Sequence, residues 1–196
     1  MKKVYLLVLA LGLVAGNVHA QSNYYQQDKW LVSPGISFGL IGYNLVGNWA
    51  GYSRTGSLVP VSLSVEKGIT DLISAGPYVG FYRWGWKDNG SNIFSQGTYT
   101  SIGGRVSFHL SQFLNDELEV GIDASKWDFY GSVIAGFELQ SFASYNGFDN
   151  ITDNNVRIIL GPVLGIRYKV APSLGLFLEG GRGSFGVGQF GLTFQL

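Results

Sequence analysis

Phe108-His109-Leu110-Ser111 is the segment of this chain best equipped for chemistry. In an extended strand successive side chains alternate faces, so His109 and Ser111 lie on the same side. An imidazole beside a hydroxyl can work as base and nucleophile. Glu117 or Glu119 downstream would supply the acid that orients the ring. A second set is purely ionic. Glu66, Arg105, Glu138, Arg157, Arg167 and Glu179 all fall on the polar face of alternating segments. Opposite charges enclosed together would pair, because a lone charge away from water is costly. The same six would line an ion path if the enclosure held water.

Other candidates reduce to ordinary structure. Gly180-Gly181-Arg182-Gly183-Ser184-Phe185-Gly186 is glycine-rich but lacks the lysine and the following helix of a phosphate loop, so it reads as a hairpin. Asp116, Glu117, Glu119 and Asp123 lack the spacing of a calcium loop and read as a solvated turn. Asn150-Ile151-Thr152 matches a glycosylation sequon, which has little weight here. With no cysteine, disulfides and thiolate metal sites are excluded. No residue set calls for a cofactor or a metal.

The elements that must position these residues are strands. Gln189 to Leu196 shows the pattern: Phe190, Leu192, Phe194 and Leu196 point one way, Gln189, Gly191, Thr193 and Gln195 the other. Eight such segments are expected, near 30–43, 58–68, 73–81, 97–110, 127–141, 155–169, 174–181 and 189–196. Pro34, Pro77 and Pro162 interrupt three of them. Residues 1–20 read as a secretory leader, with Lys2 and Lys3, an apolar run, and small residues before a cut at Gln21. Residues 21–196 then form one domain entered by a short polar tail.

Composition says which face meets what. Only 13% of residues are charged, against roughly 25% in soluble domains. Removing Lys2 and Lys3 from 13 basic residues leaves 11 against 13 acidic ones, so nothing attracts nucleic acid. A soluble lipocalin-like barrel would carry Lys and Glu on its polar face. This one carries Gly, Ser and Tyr, which suit a narrow interior. The fold expected is all-β: an eight-stranded antiparallel up-and-down transmembrane β-barrel with a filled lumen.

Connection lengths orient it. Short turns at 67–71 and 170–173 read as periplasmic, and long polar loops at 44–57, 87–96 and 142–154 as exterior. The long Ser111–Lys126 connection departs from that rule. Trp30, Phe108, Trp127, Tyr168 and Phe194 then form an outward periplasmic aromatic girdle. Trp49, Tyr52, Trp84, Trp86, Phe94, Tyr145 and Phe148 fall in the loops, with Trp84 and Trp86 read as outer-rim anchors.

Ser64-Val65-Glu66-Lys67-Gly68-Ile69-Thr70-Asp71, Gly76-Pro77-Tyr78-Val79-Gly80, Lys126-Trp127-Asp128-Phe129-Tyr130 and Leu176-Phe177-Leu178-Glu179-Gly180-Gly181 resemble small outer-membrane barrel proteins of Bacteroidetes, in the OmpA/OmpX-like and porin-family group. The resemblance spans almost the whole mature chain and implies architecture, not an activity. The ending Phe194-Gln195-Leu196 departs from the group's usual final Phe. A structural or surface-interaction role follows, with outer-membrane lipids, the barrel assembly machinery and an extracellular ligand as partners of a monomer. Two alternatives stay open: a lipid A deacylase-like enzyme built on His109 and Ser111, and a small pore. The first is opposed by position, since His109 falls inside the barrel at the periplasmic end.

Overall fold

The computed structural model describes residues 24–38, 52–54, 58–88, 93–111, 113–114, 121–145, 150–181 and 187–196. The leader and its cut, Leu40, Trp49, Asp116, Glu117, Glu119, Phe148 and residues 182–186 lie outside them.

Nine strand segments form one antiparallel sheet: β1 (Trp30–Phe38), β2 (Tyr52–Arg54), β3 (Leu58–Gly68), β4 (Ile73–Asp88), β5 (Phe94–His109), β6 (Trp127–Tyr145), β7 (Asn150–Ala171), β8 (Leu174–Gly181) and β9 (Gly188–Gln195). β2 and β3 follow one another along β4, so the ring has eight staves. Each stave pairs with its neighbours in sequence, and β1 pairs with β9 to close the ring. Closure ends in a reciprocal pair at the chain terminus. Trp30 N–H donates to the Leu196 carbonyl at 3.0 Å, and Leu196 N–H to the Trp30 carbonyl at 2.9 Å.

Alternation sets the facing. Ile158, Leu160 and Leu164 are exposed by 76%, 67% and 73%, whereas Arg105 and Arg167 are 1% and 0% exposed. The interior holds polar and charged side chains, and the apolar residues form an outer belt. Pro34, Pro77 and Pro162 point outward. Pro34 and Pro77 each fall where one ladder skips, as a residue without an N–H requires.

We call the end with the chain terminus and the 69–72 turn the base, and the opposite end the mouth. At the base, Thr70 Oγ1 accepts from the N–H groups of Leu72 and Ile73 at 3.2 and 3.0 Å, which tightens the turn. Trp30, Phe108, Trp127, Tyr168 and Phe194 all stand on the outward face at this end. Trp127 and Tyr168 pack with ring centroids 4.5 Å apart.

The mouth differs from the loop lengths expected. β6 runs to Tyr145 and β7 starts at Asn150, so most of 142–154 is strand. β4 reaches Asp88 and β5 starts at Phe94, shortening the expected 87–96 loop. Tyr52–Arg54 joins the sheet as β2. Polar sequence marked these segments as loops. A two-stranded ladder satisfies its backbone in water too, so polarity ends the apolar belt without ending the strand. Trp84 and Trp86 share the inward face of buried Tyr82 rather than pointing out as rim anchors. A Cβ on Gly97 would collide with the Trp84 ring. The indole therefore lies over a glycine on the inner wall.

The short polar tail is a stopper. Tyr24 and Tyr25 are 2% and 7% exposed. Tyr24 N–H donates to the Ala124 carbonyl at 2.7 Å, and Asp28 N–H to the Gly68 carbonyl at 3.1 Å. The segment thus crosses the base from the stretch before β6 to the end of β3. The long 111–126 connection, anomalous for a base turn, holds it through Ala124. Gly175 makes room, since a Cβ there would collide with the Tyr24 hydroxyl.

Candidate functional site

Around His109 the structure assembles a serine–histidine–acid arrangement from a different serine. His109 Nδ1 lies 2.9 Å from Asp128 Oδ2, and Nε2 lies 2.9 Å from Ser74 Oγ. Ser111 is elsewhere: its Oγ accepts the Phe129 N–H at 2.6 Å and anchors the start of β6. The chain thus brings His109 against Ser74 and not Ser111. Register explains the switch. β4 pairs β5 with Ser74 opposite Ser107, so Ser74 and His109 are neighbours on the inner wall. Glu117 and Glu119 lie outside the described residues.

Hydrogen-bond counting shows what this arrangement can do. Ser74 Oγ donates to Glu66 Oε2 at 2.9 Å. A carboxylate only accepts, so the single Ser74 proton goes to Glu66. Ser74 therefore has no proton left to give the imidazole, as a serine nucleophile would have to. Ser74 is 0% exposed, and the space beside His109 is about 10 Å³, room for one water. The Tyr25 ring covers the imidazole from below, stacked at 3.5 Å between centroids and 4° between planes.

Above His109 lies a connected ionic layer. Arg105 grips Glu179 with two parallel bonds, Nη1 to Oε2 at 3.1 Å and Nη2 to Oε1. Its Nε lies 3.2 Å from Glu66 Oε1. Arg167 Nη1 donates to Asp128 Oδ2 at 3.0 Å, and its Nη2 stands 3.6 Å from Glu66 Oε1. Tyr130 donates to Glu179 Oε1 at 2.8 Å, with the Arg167 guanidinium 3.8 Å above its ring. Gly165 lets that ring in, since a Cβ there would overlap it. Ser107 and Ser132 fill remaining acceptor and donor positions. Three carboxylates, Glu66, Asp128 and Glu179, meet two guanidiniums, with the His109 ring hydrogen-bonded at their edge.

Glu66, Arg105, Arg167 and Glu179 are therefore together, joined by Asp128, Ser74 and Tyr130, which the sequence pattern did not place with them. The inward parity of Asp128 and Tyr130 was the available signal. Glu138 and Arg157 are not part of this layer. They stand directly opposite in register, yet no ion pair within 4.0 Å joins them among the described residues. Among the described residues β8 meets β7 only from Val163 toward the base, and Arg157, beyond that point, is exposed. Above the ionic layer, Tyr78, Ile134 and Val163 form an apolar plug, and Tyr82 packs with Trp84 and Tyr99 nearer the mouth.

At the base, below the staves, the Tyr25 phenol is pushed up to about 12 by burial, reinforced by the Asp128, Glu66 and Asp71 carboxylates. Its hydroxyl donates toward the Thr70 and Ile73 carbonyls, at 2.7 and 2.5 Å.

No protein-family model matches the chain, and no curated protein matches it. Solved structures do. Ail, the attachment invasion locus protein of Yersinia pestis, is 13% identical with a TM-score of 0.46, over 87% of this chain and 96% of that one. The N-terminal β-barrel domain of Pseudomonas aeruginosa OprF is 14% identical with a TM-score of 0.46, over 87% and 98%. A de novo designed transmembrane β-barrel is 18% identical with a TM-score of 0.42, over 88% and 99%. The strand register of this chain, not the likeness, carries its fold.

Proposed function

We propose that this chain is an integral outer-membrane barrel with a filled lumen, whose role is structural or interactive and is exercised at the mouth. The observation that carries it is the inversion of a soluble protein: an exposed belt of Leu, Ile, Val and Phe around an interior of ion pairs. In water that belt would aggregate; in hydrocarbon it is the favourable face. The strands close into a ring through β1 and β9, and closure is the condition for crossing lipid. In this reading the base, with its aromatic girdle, is periplasmic. The mouth extensions of β6 and β7 are outside, and residues 1–20 are removed as a leader. The membership suggested by the sequence, a Bacteroidetes-type small barrel handled by the assembly machinery, belongs to the same proposal.

The layered lumen argues for a closed wall rather than a pore. The locked Ser74–His109–Asp128 set argues against hydrolysis. The test is labelling of intact cells by a membrane-impermeant maleimide. A cysteine at Ile151 should react, and one at Thr70 should not. Labelling at Thr70 alone would invert the orientation. A planar bilayer should show no large steady conductance, and lipid A should keep its mass on expression.

A further inference from the structure

Near the mouth the inner wall carries a carboxylate, Glu138, with no cation paired to it among the described residues. Glu138 is 6% exposed. Its one hydrogen-bond donor among the described residues is the Gln140 amide, at 2.6 Å. A carboxylate that deep is costly with a single neutral partner. Beside it stands Ser101, opposite in register, 0% exposed and with its hydroxyl unpartnered among the described residues. One inward rung nearer the mouth, Tyr82, Tyr99 and Gln140 are aligned across β4, β5 and β6. The two tyrosine rings stack with centroids 5.9 Å apart at 23°. The wall therefore offers a buried negative charge, an acceptor hydroxyl and aromatic faces, one above the other.

We propose that this patch is a seat for a primary ammonium group entering from the mouth. The Gln140 amide holds the place of the ammonium when the seat is empty. Gln140 is only half-buried, so it can swing toward solvent and hand Glu138 to the ligand. An ammonium is a compact donor with three N–H groups, close in size to the NH₂ it replaces. It can bond Glu138 and Ser101 while its charge faces the tyrosine rings. A guanidinium is broader and planar, and would have to displace more than the single amide group that Glu138 now bonds. Arg157 lies across from Glu138 on β7, but is exposed and makes no ion pair with it. The outside origin of the ligand rests on the orientation proposed above; binding itself does not.

The test is an NMR titration of the full mature chain, refolded in detergent micelles, with butylammonium chloride as probe and sodium chloride as the ionic control. Saturable amide shifts are expected at Tyr82, Ser101 and Gln140, absent with sodium. Glu138→Gln should weaken binding at least tenfold, and Arg157→Gln should leave it unchanged or tighten it. If Glu138→Gln fails to refold, judged by heat-modifiable gel migration, Tyr82→Leu and Ser101→Val replace it and should each weaken binding severalfold. No saturable shift in the wild type, or wild-type affinity in these variants, would overturn the seat. A barrel still protected by lipid in that case would leave the membrane reading standing.

Discussion

Arg105 holds Glu179 from across the lumen through two parallel guanidinium–carboxylate bonds, with both side chains shut off from solvent. β5 and β8 are not neighbours in the ring, so this contact spans the interior and ties opposite walls together. A fork-to-fork pair fixes geometry as well as charge.

Removing one partner should therefore be expensive. Glu179→Gln and Arg105→Met are each expected to destabilise the barrel by about 3–5 kcal/mol, because the survivor is left buried and unpaired. The double variant should lose clearly less than the sum. Guanidinium-chloride unfolding from lipid vesicles measures this. The Glu138 and Arg157 variants, by contrast, should combine additively, with Arg157→Gln alone within about 0.5 kcal/mol of the wild type. Strict additivity for Arg105 and Glu179 would contradict the ionic layer.

The outer belt gives a directional test. Leu164→Arg places a charge on the most apolar part of β7 and should cost about 2–4 kcal/mol in a lipid-refolding titration. Asn155→Arg, on the exposed extension of the same strand, should cost nothing measurable. Equal penalties at the two sites would mean that the belt does not meet lipid.

Strand parity makes this belt legible from the amino-acid pattern alone. A period of two over eight segments sets the facing, and facing decides which charges are enclosed. Parity also puts Trp84 and Trp86 on the inward side with Tyr82, but their place in a polar segment suggested a rim. Glu138 and Arg157 show a limit of parity: both fall on the polar face and stand opposite in register, yet parity does not tell an enclosed charge from an exposed one. The serine at His109 could not be chosen from spacing, because Ser74 reaches it across a ladder rather than along a chain. The stopper was hidden for a simpler reason. Tyr24-Tyr25-Gln26-Gln27 has no period, and its burial depends on a lumen that exists only after the ring closes.

That stopper should respond to alkali. The Tyr25 phenol is pushed up to about 12 in the folded chain, against about 10 in an unfolded one. The folded state thus holds the proton more tightly. Its contribution is intact below pH ~10 and is lost as the pH rises through about 12. Tyr25→Phe keeps the ring on His109 and loses the bonds to Thr70 and Ile73, at a cost of about 1 kcal/mol. It should also flatten the fall in stability between pH ~10 and 12, read from pH-dependent melting in vesicles. An unchanged slope would show that Tyr25 is not seated in the base.

The most direct measurement of a lipid-facing belt around a filled lumen is methyl NMR in phospholipid nanodiscs, reading contacts to acyl-chain protons. Leu160, Leu164 and Leu176 should show them. Ile134 and Val163, equally apolar but packed inside with Tyr78, should show none. Acyl-chain contacts from Ile134 and Val163, or silence from Leu164, would contradict the inside-out arrangement on which the proposed function stands.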